Sequence, residues 1–339
     1  MRNSKITLAD IAKLAGVSTS TVSRALTDSP QISVAVKQRI RDLAEAHDYQ
    51  IHVGARNLRL RKSHIVAVVL PIEADDREML SNPFVLEFIG AVQMALRQFE
   101  YNLLLLQQKR IDPMFWRSNL ADGFIQLGHG VDPQILNSLA PDIPLVVWGP
   151  QFSDRCYCTV GVDNWKLAQQ AVTHLIKLGR QRIGVLCGGF GKDDSESYLR
   201  YCGYREALNL AGISHDPALV AFTDFGSVSG YRAAEQLLSQ APDLDAIFAA
   251  HSDIVALAAI EALRQSGRTV PDDVAVVGFD NVSIGVHFGM PLTTISQEVQ
   301  TTGAQVLVET LMKQMAGEVT PSVTIEGKLI IRRSCGAIH

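Results

Sequence analysis

Long apolar runs are missing from this sequence of 339 residues. Stretches such as Ile65–Leu70 and Leu103–Leu106 fall far short of the roughly 20 apolar residues that a membrane-spanning helix needs. The N-terminal charges are not followed by the apolar segment of an export signal. We therefore expect a cytoplasmic protein with no membrane partner. Because domains average roughly 150 residues, the length predicts two or three of them.

Cysteines are few and lack the spacing of metal ligands. The five thiols are an odd number in a long chain, and no C-x-x-C pair occurs. This argues against a disulfide framework and against a structural metal. We expect reduced cysteines that pack as small hydrophobic side chains, and we expect neither a metal nor a cofactor.

Complete catalytic motifs are absent as well. The segment 188–192 (GGFGK) lacks the spacing of a phosphate-binding loop, and Asp193 after the lysine would repel phosphate. The segment 226–230 (GSVSG) resembles a nucleophile elbow, but its central residue is Val228, which cannot attack a substrate. No H-E-x-x-H occurs. An enzyme is therefore the weaker hypothesis, and a binding protein is favoured.

The charge is distributed unevenly along the chain. The net charge is −4, yet residues 1–62 carry 11 Lys/Arg and 5 Asp/Glu, which gives +6 and leaves −10 for the remainder. A basic segment of this size is attracted to polyanions, while an acidic body is repelled by them. A solvated helical surface would give the same count, so charge alone leaves both interpretations open.

Residues 7–26 have the pattern of a helix-turn-helix. Thr7 stands at the N-cap position of a first helix, and Asp10 follows three residues later as in a capping box. Gly16 can take the positive φ that ends a helix, and Ser18 can cap a second helix. A third amphipathic helix follows Ser33. Its apolar face would close a small core with Val36, Ile40, Leu43 and Ala44.

The second helix of such a unit enters the major groove of DNA with its N-terminal residues. This places Thr19, Ser20 and Arg24 near base edges, where the guanidinium could donate to a guanine or clamp a phosphate. A helical hairpin used for protein contact is the alternative. Short polar residues and an arginine suit a groove better than an apolar partner, so DNA is favoured.

The stretch ITLADIAKLAGVSTSTVSRAL (residues 6–26), with Tyr49 and the segment 55–58 (ARNL), resembles the DNA-binding head of the lactose/galactose repressor (LacI/GalR) family. The resemblance implies a hinge helix near residues 52–60 that orders on operator DNA. In it Leu58 and its two-fold mate would wedge into the minor groove, with Ala55 facing the bases. Ile51-His52 departs from the usual Pro-Asn. The expected DNA-contacting residues are Thr7, Ser18, Thr19, Ser20, Arg24, Ala55, Asn57 and Leu58.

From residue 63 onward, short apolar runs alternate with amphipathic helices. This pattern is typical of parallel sheets covered on both faces. Because the series occurs twice, we predict two doubly wound α/β subdomains with a cleft between them, similar to periplasmic binding proteins. The predicted domains are the helix-turn-helix head (1–50), the hinge and linker (51–62) and the body (63–339), the body dividing into subdomains of about 63–163 with 292–322 and about 164–291 with 323–339.

Polar residues follow the predicted strands of the body. Asp280 ends one strand, Ser252 and Asp253 follow another, and Arg200 lies on the helix after a third. Ligands bind outside the carboxyl ends of strands in open α/β sheets. Carboxylates and a guanidinium near aromatic rings are typical of sugar binding, because they bind vicinal hydroxyls while a ring covers the apolar sugar face. Asp253 could equally cap the helix beginning at Ile254, and the two roles are compatible.

The family resemblance implies the same site. It places Arg200, Ser252 and Asp280 at effector-contacting positions, Phe225 where an aromatic residue often stacks on the ligand, and Phe84 in the N-terminal subdomain. The expected effector-binding residues are Phe84, Trp148, Arg200, Phe225, Ser252, Asp253 and Asp280.

Three positions leave the identity of the ligand open. Ser252 replaces the asparagine that the family usually has, and this shorter donor suits a bulkier ligand or a bridging water. Gly149 stands where some sugar-binding relatives carry an aspartate. Trp148 beside it is either a cavity wall or part of the core.

These observations predict a transcriptional regulator, most simply a repressor of a carbohydrate-utilisation operon, whose operator affinity is controlled by a sugar bound between the subdomains. The expected partners are pseudo-palindromic double-stranded operator DNA, a mono- or disaccharide, and a second copy in a homodimer that associates near Phe84–Phe99. We expect it at the nucleoid in the cytoplasm. A purine or nucleoside effector, or a sugar-binding protein with no role on DNA, remains open.

Overall fold

The computed structural model describes residues 6–26, 28–49, 62–71, 80–107, 116, 120–128, 132–189, 196–224, 226–287 and 289–337. It divides into two compact units, one ending at Ser63 and the other beginning at His64. The predicted hinge residues Ala55, Asn57 and Leu58 lie outside the described residues, and so does Phe225.

The described part of the first unit consists of three short helices, α1 (Leu8–Ala15), α2 (Thr19–Leu26) and α3 (Val34–Ala46). The predicted capping box is present, because Thr7 Oγ1 accepts the Asp10 N–H at 3.3 Å and the Asp10 carboxylate accepts the Thr7 N–H at 2.9 Å. Gly16 ends α1 with a φ of 64°. The helix-turn-helix prediction is confirmed. Its buried core consists of Ile11, Ala12, Ala15, Val22, Ala25 and Ile40.

The second unit is an α/β structure built on two sheets. Its strands are β1 (Ile65–Leu70), β2 (Asn102–Gln107), β3 (Gly123–Leu127), β4 (Leu145–Trp148), β5 (Cys158–Val162), β6 (Ile183–Cys187), β7 (Val220–Phe222), β8 (Ala246–Ala249), β9 (Ala275–Asp280), β10 (Thr293–Ser296), β11 (Val323–Ile325) and β12 (Lys328–Ile330). The first sheet has the order β11-β5-β4-β3-β1-β2, and the second has the order β12-β10-β9-β8-β6-β7. All pairs are parallel except β10 with β12.

Helices cover both sheets, and several begin at a capping side chain. Asn82, Asp132, Asp163 and Ser252 each accept a backbone N–H from the first turn that follows them. Within the described residues the helices of this unit are α4 (Pro83–Arg97), α5 (Pro133–Leu139), α6 (Asn164–Lys177), α7 (Glu196–Leu210), α8 (Ser227–Gln240), α9 (Asp253–Gln265), α10 (Ile284–His287) and α11 (Ala304–Met315). Within the described ranges, no helix has the length and apolar character needed to cross a membrane.

The chain passes between the subdomains at places that differ from the predicted division. Residues 292–322 were expected in the first subdomain, yet β10 pairs in parallel with β9 of the second sheet. Residues 323–339 were expected in the second, yet β11 pairs with β5 of the first sheet. Residues 323–332 contain two short strands on different sheets, β11 and β12, because each sheet has an edge that the returning chain can extend.

Candidate functional site

A cavity of about 480 Å³ lies at the carboxyl ends of strands from both sheets. Gly128 follows β3, Gly149 follows β4, Gly188 follows β6 and Asp280 ends β9. This is the position predicted for a ligand in open α/β sheets. The volume lies within the range that small-molecule ligands occupy.

One part of the cavity, which we call the aromatic wall, comes from the first subdomain. It is formed by Pro71, Phe84, Val85, Leu127 and Trp148. These side chains offer apolar surface and two rings. They can therefore contact the apolar face of a ligand, but such contacts are not directional and do not fix its orientation.

The two aromatic rings of this wall are held by different contacts. Trp148 ends β4, is 4% exposed, and meets the Phe88 ring edge-on with centroids 5.8 Å apart. It is therefore both cavity wall and core. A Cβ on Gly303 would lie 2.7 Å from the same indole, so the small residue makes room for it. Phe84 is half-buried in the first turn of α4, where the Asn82 side chain accepts its N–H at 2.9 Å.

The other part of the cavity, which we call the polar wall, comes from the second subdomain. Its members are Asn164, Glu196, Ser197, Arg200, Thr223, Asp224, His251, Asp280 and Gln297.

Arg200 lies at the centre of the polar wall and is 7% exposed. Its Nε donates to Asn164 Oδ1 at 2.7 Å, and its Nη1 donates to the carbonyls of Ala250 at 2.9 Å and His251 at 3.1 Å. The guanidinium also lies 3.6 Å from the centre of the Phe279 ring, a cation–π contact. Burial lowers the pKa of Arg200, and nearby carboxylates partly offset this. Among the described residues Nε and Nη1 have these partners, and Nη2 is the nitrogen that can donate to a ligand.

Asp280 lies at the end of β9 with a φ of 118°, a conformation that few non-glycine residues adopt. Its Oδ1 accepts from Gln297 Nε2 at 2.7 Å. Burial raises the pKa of Asp280 to about 7, although the Arg200 guanidinium acts in the opposite direction. The carboxylate can accept hydrogen bonds from ligand hydroxyls when it is ionised and can donate one when it is protonated.

His251 is a neutral member of the polar wall. Its Nδ1 lies 3.1 Å from the Thr223 carbonyl oxygen, which fixes the tautomer with the proton on Nδ1. Burial, with the nearby charge of Arg200, lowers the pKa of this imidazole to about 4. At neutral pH it therefore adds no positive charge to the cavity.

Ser252 and Asp253, expected to bind the ligand, do not line the cavity. Ser252 is the N-cap of α9, and its hydroxyl accepts the Val255 N–H at 3.3 Å. Asp253 is completely buried, and its carboxylate accepts from the Val282 N–H at 2.9 Å and from Thr294 Oγ1 at 2.5 Å. Burial and the charge of Asp280 raise its pKa. The structure therefore assigns both residues a supporting role behind the cavity, with Ser252 rather than Asp253 as the cap.

The predicted residues Phe84, Trp148, Arg200 and Asp280 are brought together at one cavity. Sequence reasoning missed several others. Thr223 and Asp224 directly follow β7, and His251 comes shortly after β8. They therefore satisfy the same rule that predicted Asp280, namely that ligands bind outside the carboxyl ends of the strands. The lining residues not predicted include Asn164, Glu196, Ser197, Thr223, Asp224, His251 and Gln297.

The first unit presents a polar surface at the start of α2. Thr19, Ser20 and Arg24 are exposed, as a helix that reads a groove requires. The Ser18 hydroxyl accepts the Thr21 N–H at 3.1 Å and so caps α2, while Thr7 caps α1. Contact of these residues with DNA stays a prediction.

Comparison with known proteins covers both units. The model for bacterial regulatory proteins of the lacI family matches residues 7–51, and the periplasmic binding protein-like domain matches residues 172–335. The HTH-type transcriptional regulator CelR of Thermobifida fusca is 33% identical over 98% of this chain and 99% of its own.

Solved structures give the same picture. A complex of the transcriptional regulator CelR with cellobiose matches with a TM-score of 0.69 and 30% identity over 97% of this chain and 99% of that one. The lac repressor dimer bound to operator and the anti-inducer ONPF matches with a TM-score of 0.84 over 98% of this chain and 99% of that one. At 22% identity, this second match shows a shared fold.

Proposed function

The chain belongs to the lacI family of bacterial regulatory proteins, and we propose that it represses genes of carbohydrate utilisation under the control of a sugar bound in the cavity. As a member of this family it is a DNA-binding transcriptional regulator. The observation that carries the sugar proposal is that the aromatic wall and the hydrogen-bonding groups of Arg200 and Asp280 line the same cavity. The relative CelR has been solved with cellobiose, which supports the same ligand class.

The chemistry of the cavity favours a sugar over a flat heterocycle. Arg200 Nη2 offers donors, the Asp280 carboxylate offers acceptors, and His251 and Asn164 add neutral polar groups. A sugar has hydroxyls on its edges and C–H groups on its faces, so it can use polar and aromatic surfaces together. The volume of about 480 Å³ allows for two hexose rings.

A homodimer on a two-fold operator is part of the proposal. Leu86 and Met94 lie eight residues apart on α4, which places them on one face of the helix, and they are 53% and 68% exposed. Leu105 on β2, the last strand of the first sheet, is 40% exposed. We place the two-fold contact on this apolar surface, because exposed apolar patches of this kind mark interaction sites.

Ligand and operator are coupled through the angle between the two subdomains. A sugar that contacts both walls favours the arrangement in which the walls lie closer together. In a dimer this moves the two first subdomains, and with them the spacing of the two DNA-reading heads. A coupling free energy of about 1–3 kcal/mol would change operator affinity by roughly 5- to 150-fold.

We also propose that the protein has no enzymatic activity on its ligand. His251, the histidine of the cavity, directs Nδ1 at a backbone carbonyl. His174 Nε2 lies 3.3 Å from Cys335 Sγ, an arrangement that resembles a catalytic pair, but the thiol is completely buried and does not line the cavity. Sugars incubated with the purified protein should be recovered unchanged.

The experiment has two parts. An operator is first selected from random duplex DNA with the full-length protein, and its affinity is then measured by fluorescence anisotropy with and without mono- and disaccharides. We expect one sugar to change the affinity by at least fivefold, and we expect binding to weaken steeply with salt because phosphate contacts release counterions. Failure to select any DNA, or equal affinity with every sugar, would contradict the proposal.

A further inference from the structure

The described lining of the cavity carries an excess of negative charge. The described lining residues include one guanidinium, that of Arg200, and three carboxyl groups, those of Glu196, Asp224 and Asp280. Burial raises the pKa of Asp280 to about 7, so this group is only partly ionised at neutral pH. His251 is neutral at pH 7 because burial and Arg200 lower its pKa to about 4. The described lining residues thus carry more negative than positive charge, unlike a site that attracts an anion.

Asp224 supplies a fixed negative charge at this site. Its Oδ1 accepts the Gly226 N–H at 2.7 Å and also a hydrogen bond from the Ser229 hydroxyl. The bond from Ser229 is the main cause that lowers the pKa of Asp224. The side chain is exposed to solvent, so it meets a ligand at the entrance of the cavity rather than at its base.

The positive charge of Arg200 is partly offset by nearby carboxyl groups. Asp280 and Glu196 both act electrostatically on this guanidinium, and its Nε and Nη1 donate to neutral oxygen atoms. A phosphate bound beside Arg200 would therefore have to compete with carboxylates that line the same cavity.

The glycine-containing loop after β6 does not compensate for this charge. The Gly188 N–H, a donor of the kind that phosphate-binding loops use, donates to Ser197 Oγ at 2.7 Å. A Cβ at Gly188 would lie 2.7 Å from the same hydroxyl, so the serine is closely packed against the loop. The Gly188 N–H is therefore already hydrogen-bonded within the protein.

We propose that this cavity selects uncharged sugars and rejects their phosphorylated and carboxylated forms, with Glu196 and Asp224 as the residues that determine this specificity. The inference rests on the proposed function, because it names the class of sugar that the same cavity binds. Like charges brought together in a partly desolvated site repel strongly, so we expect phosphorylation of a sugar to weaken binding by about 100-fold or more.

The test compares neutral and charged forms of the same sugars on the full-length protein. Cellobiose, maltose, lactose, sucrose and trehalose are each measured beside their 6-phosphates by thermal shift and calorimetry. At least one neutral disaccharide should bind, and its 6-phosphate should bind about 100-fold more weakly. A 6-phosphate that binds as tightly as its neutral sugar would overturn the inference. If no form of any sugar binds, the sugar proposal itself fails.

A pair of variants separates charge from shape. In the double variant Glu196→Gln, Asp224→Asn the ratio of neutral to phosphorylated affinity should fall at least tenfold. Glu206→Gln removes a carboxylate from the same helix as Glu196 but outside the cavity, so it should leave the ratio unchanged. An unaltered ratio in a folded double variant would contradict the assignment of these two residues.

Ionic strength provides a second measurement on the unaltered protein, which does not depend on the folding of a variant. Repulsion between a phosphate and the partly exposed carboxylates is screened by salt. The ratio of the two affinities should therefore shrink between low and high salt. A ratio independent of salt would show that exclusion is steric, and would overturn the electrostatic account.

Discussion

The two walls of the cavity differ in how they depend on the rest of the fold. The aromatic wall is continuous with the core, since Trp148 ends a central strand and packs on Phe88. The polar wall is assembled from separate elements. Arg200 on α7 is held by Asn164 at the start of α6 and by backbone carbonyls that follow β8.

This difference separates two contributions to binding. The contribution of the aromatic wall to the binding free energy depends on the apolar area that the ligand buries, so it changes little when the ligand shifts slightly. Hydrogen bonds from the polar wall depend on direction, and a buried charged donor that loses its ligand partner is costly. Substitutions in the polar wall should therefore have larger effects on ligand response than substitutions in the aromatic wall.

The largest effect is expected for Arg200→Ala. A hydrogen bond to a charged group contributes about 1.5–3 kcal/mol, so loss of the guanidinium should weaken sugar binding by roughly 10- to 150-fold and largely remove the ligand response. Three buried acceptors also lose their donor, which should lower the melting temperature. Operator affinity without ligand should stay near normal. Calorimetry with the sugar and anisotropy with operator measure the two effects.

Arg200→Lys is the matched control for charge. Lysine keeps the positive charge but cannot reproduce the planar set of donors that reaches Asn164 and two carbonyls at once. It should therefore bind sugar with intermediate affinity. An unchanged ligand response in the alanine variant would remove Arg200 from the site.

The position of the cavity and part of the polar wall could be predicted from the sequence, because both follow from where the strands end. Near-continuous apolar strands predict parallel sheets, parallel sheets place their carboxyl ends together, and the residues that follow become candidates. Arg200 and Asp280 were found in this way, with the family resemblance. The three-helix head was found from capping residues and helical periodicity.

What the sequence left undetermined depends on contacts between distant segments. Ser252 and Asp253 follow a strand as Asp280 does, but the turn into α9 directs them into the protein. β10 and β11 belong to different sheets, and which sheet each one joins depends on which sheet edge is free. The sequence of a short strand does not indicate this. Glu196 and Asp224 stand on separate elements that only the folded chain brings to one cavity.

A smaller effect is expected for Phe84→Ala in the aromatic wall. Loss of a half-buried ring that covers the sugar should cost about 1–2 kcal/mol, which corresponds to a 5- to 30-fold weaker affinity. Phe84→Leu keeps most of the apolar area without the ring, and should recover much of the loss if area rather than ring stacking matters. Affinities of both variants for the sugar, measured by calorimetry, decide this. A loss as large as that of Arg200→Ala would contradict the proposed division between the walls.

The third prediction concerns pH and only the polar wall. The folded state holds the Asp280 proton up to about pH 7, whereas the unfolded chain loses it near pH 4, so this residue makes stability fall as pH rises between those values. His251 does the opposite between about pH 4 and pH 6.5, because its pKa is lowered to about 4 on folding. Each slope is at most about 1.4 kcal/mol per pH unit.

Asp280→Asn removes the first of these two opposing contributions. The free energy of unfolding of the variant should therefore rise more steeply than that of the unaltered protein between pH 4.5 and pH 6.5. Urea unfolding at several pH values measures this. Phe84→Ala, in the aromatic wall, should run parallel to the unaltered protein. Parallel curves for Asp280→Asn would show that Asp280 does not hold its proton in the folded state.

The smallest effect is expected for a residue that connects the two walls. Glu87 lies on α4, the helix that carries Phe84, and its Oε1 accepts the Ser283 N–H at 2.9 Å just beyond Asp280 in the second subdomain. Its Oε2 accepts from Gln300 Nε2 at 2.5 Å. This hydrogen bond favours the arrangement in which the two walls lie close together, and so does a sugar that contacts both walls. Glu87→Gln should therefore weaken sugar affinity by about 2- to 5-fold, which corresponds to the loss of roughly 0.5–1 kcal/mol from one exposed hydrogen bond.

Glu309→Gln is the matched control, since that carboxylate accepts from Gln305 within α11 and connects no two subdomains. It should leave sugar affinity unchanged. Linkage also requires Glu87→Gln to alter operator affinity in the presence of sugar while leaving the sugar-free affinity closer to normal, because the bond matters most in the arrangement that the sugar favours. Equal affinities in Glu87→Gln and Glu309→Gln would contradict this role of the hydrogen bond, and would mean that other contacts between the subdomains set their arrangement.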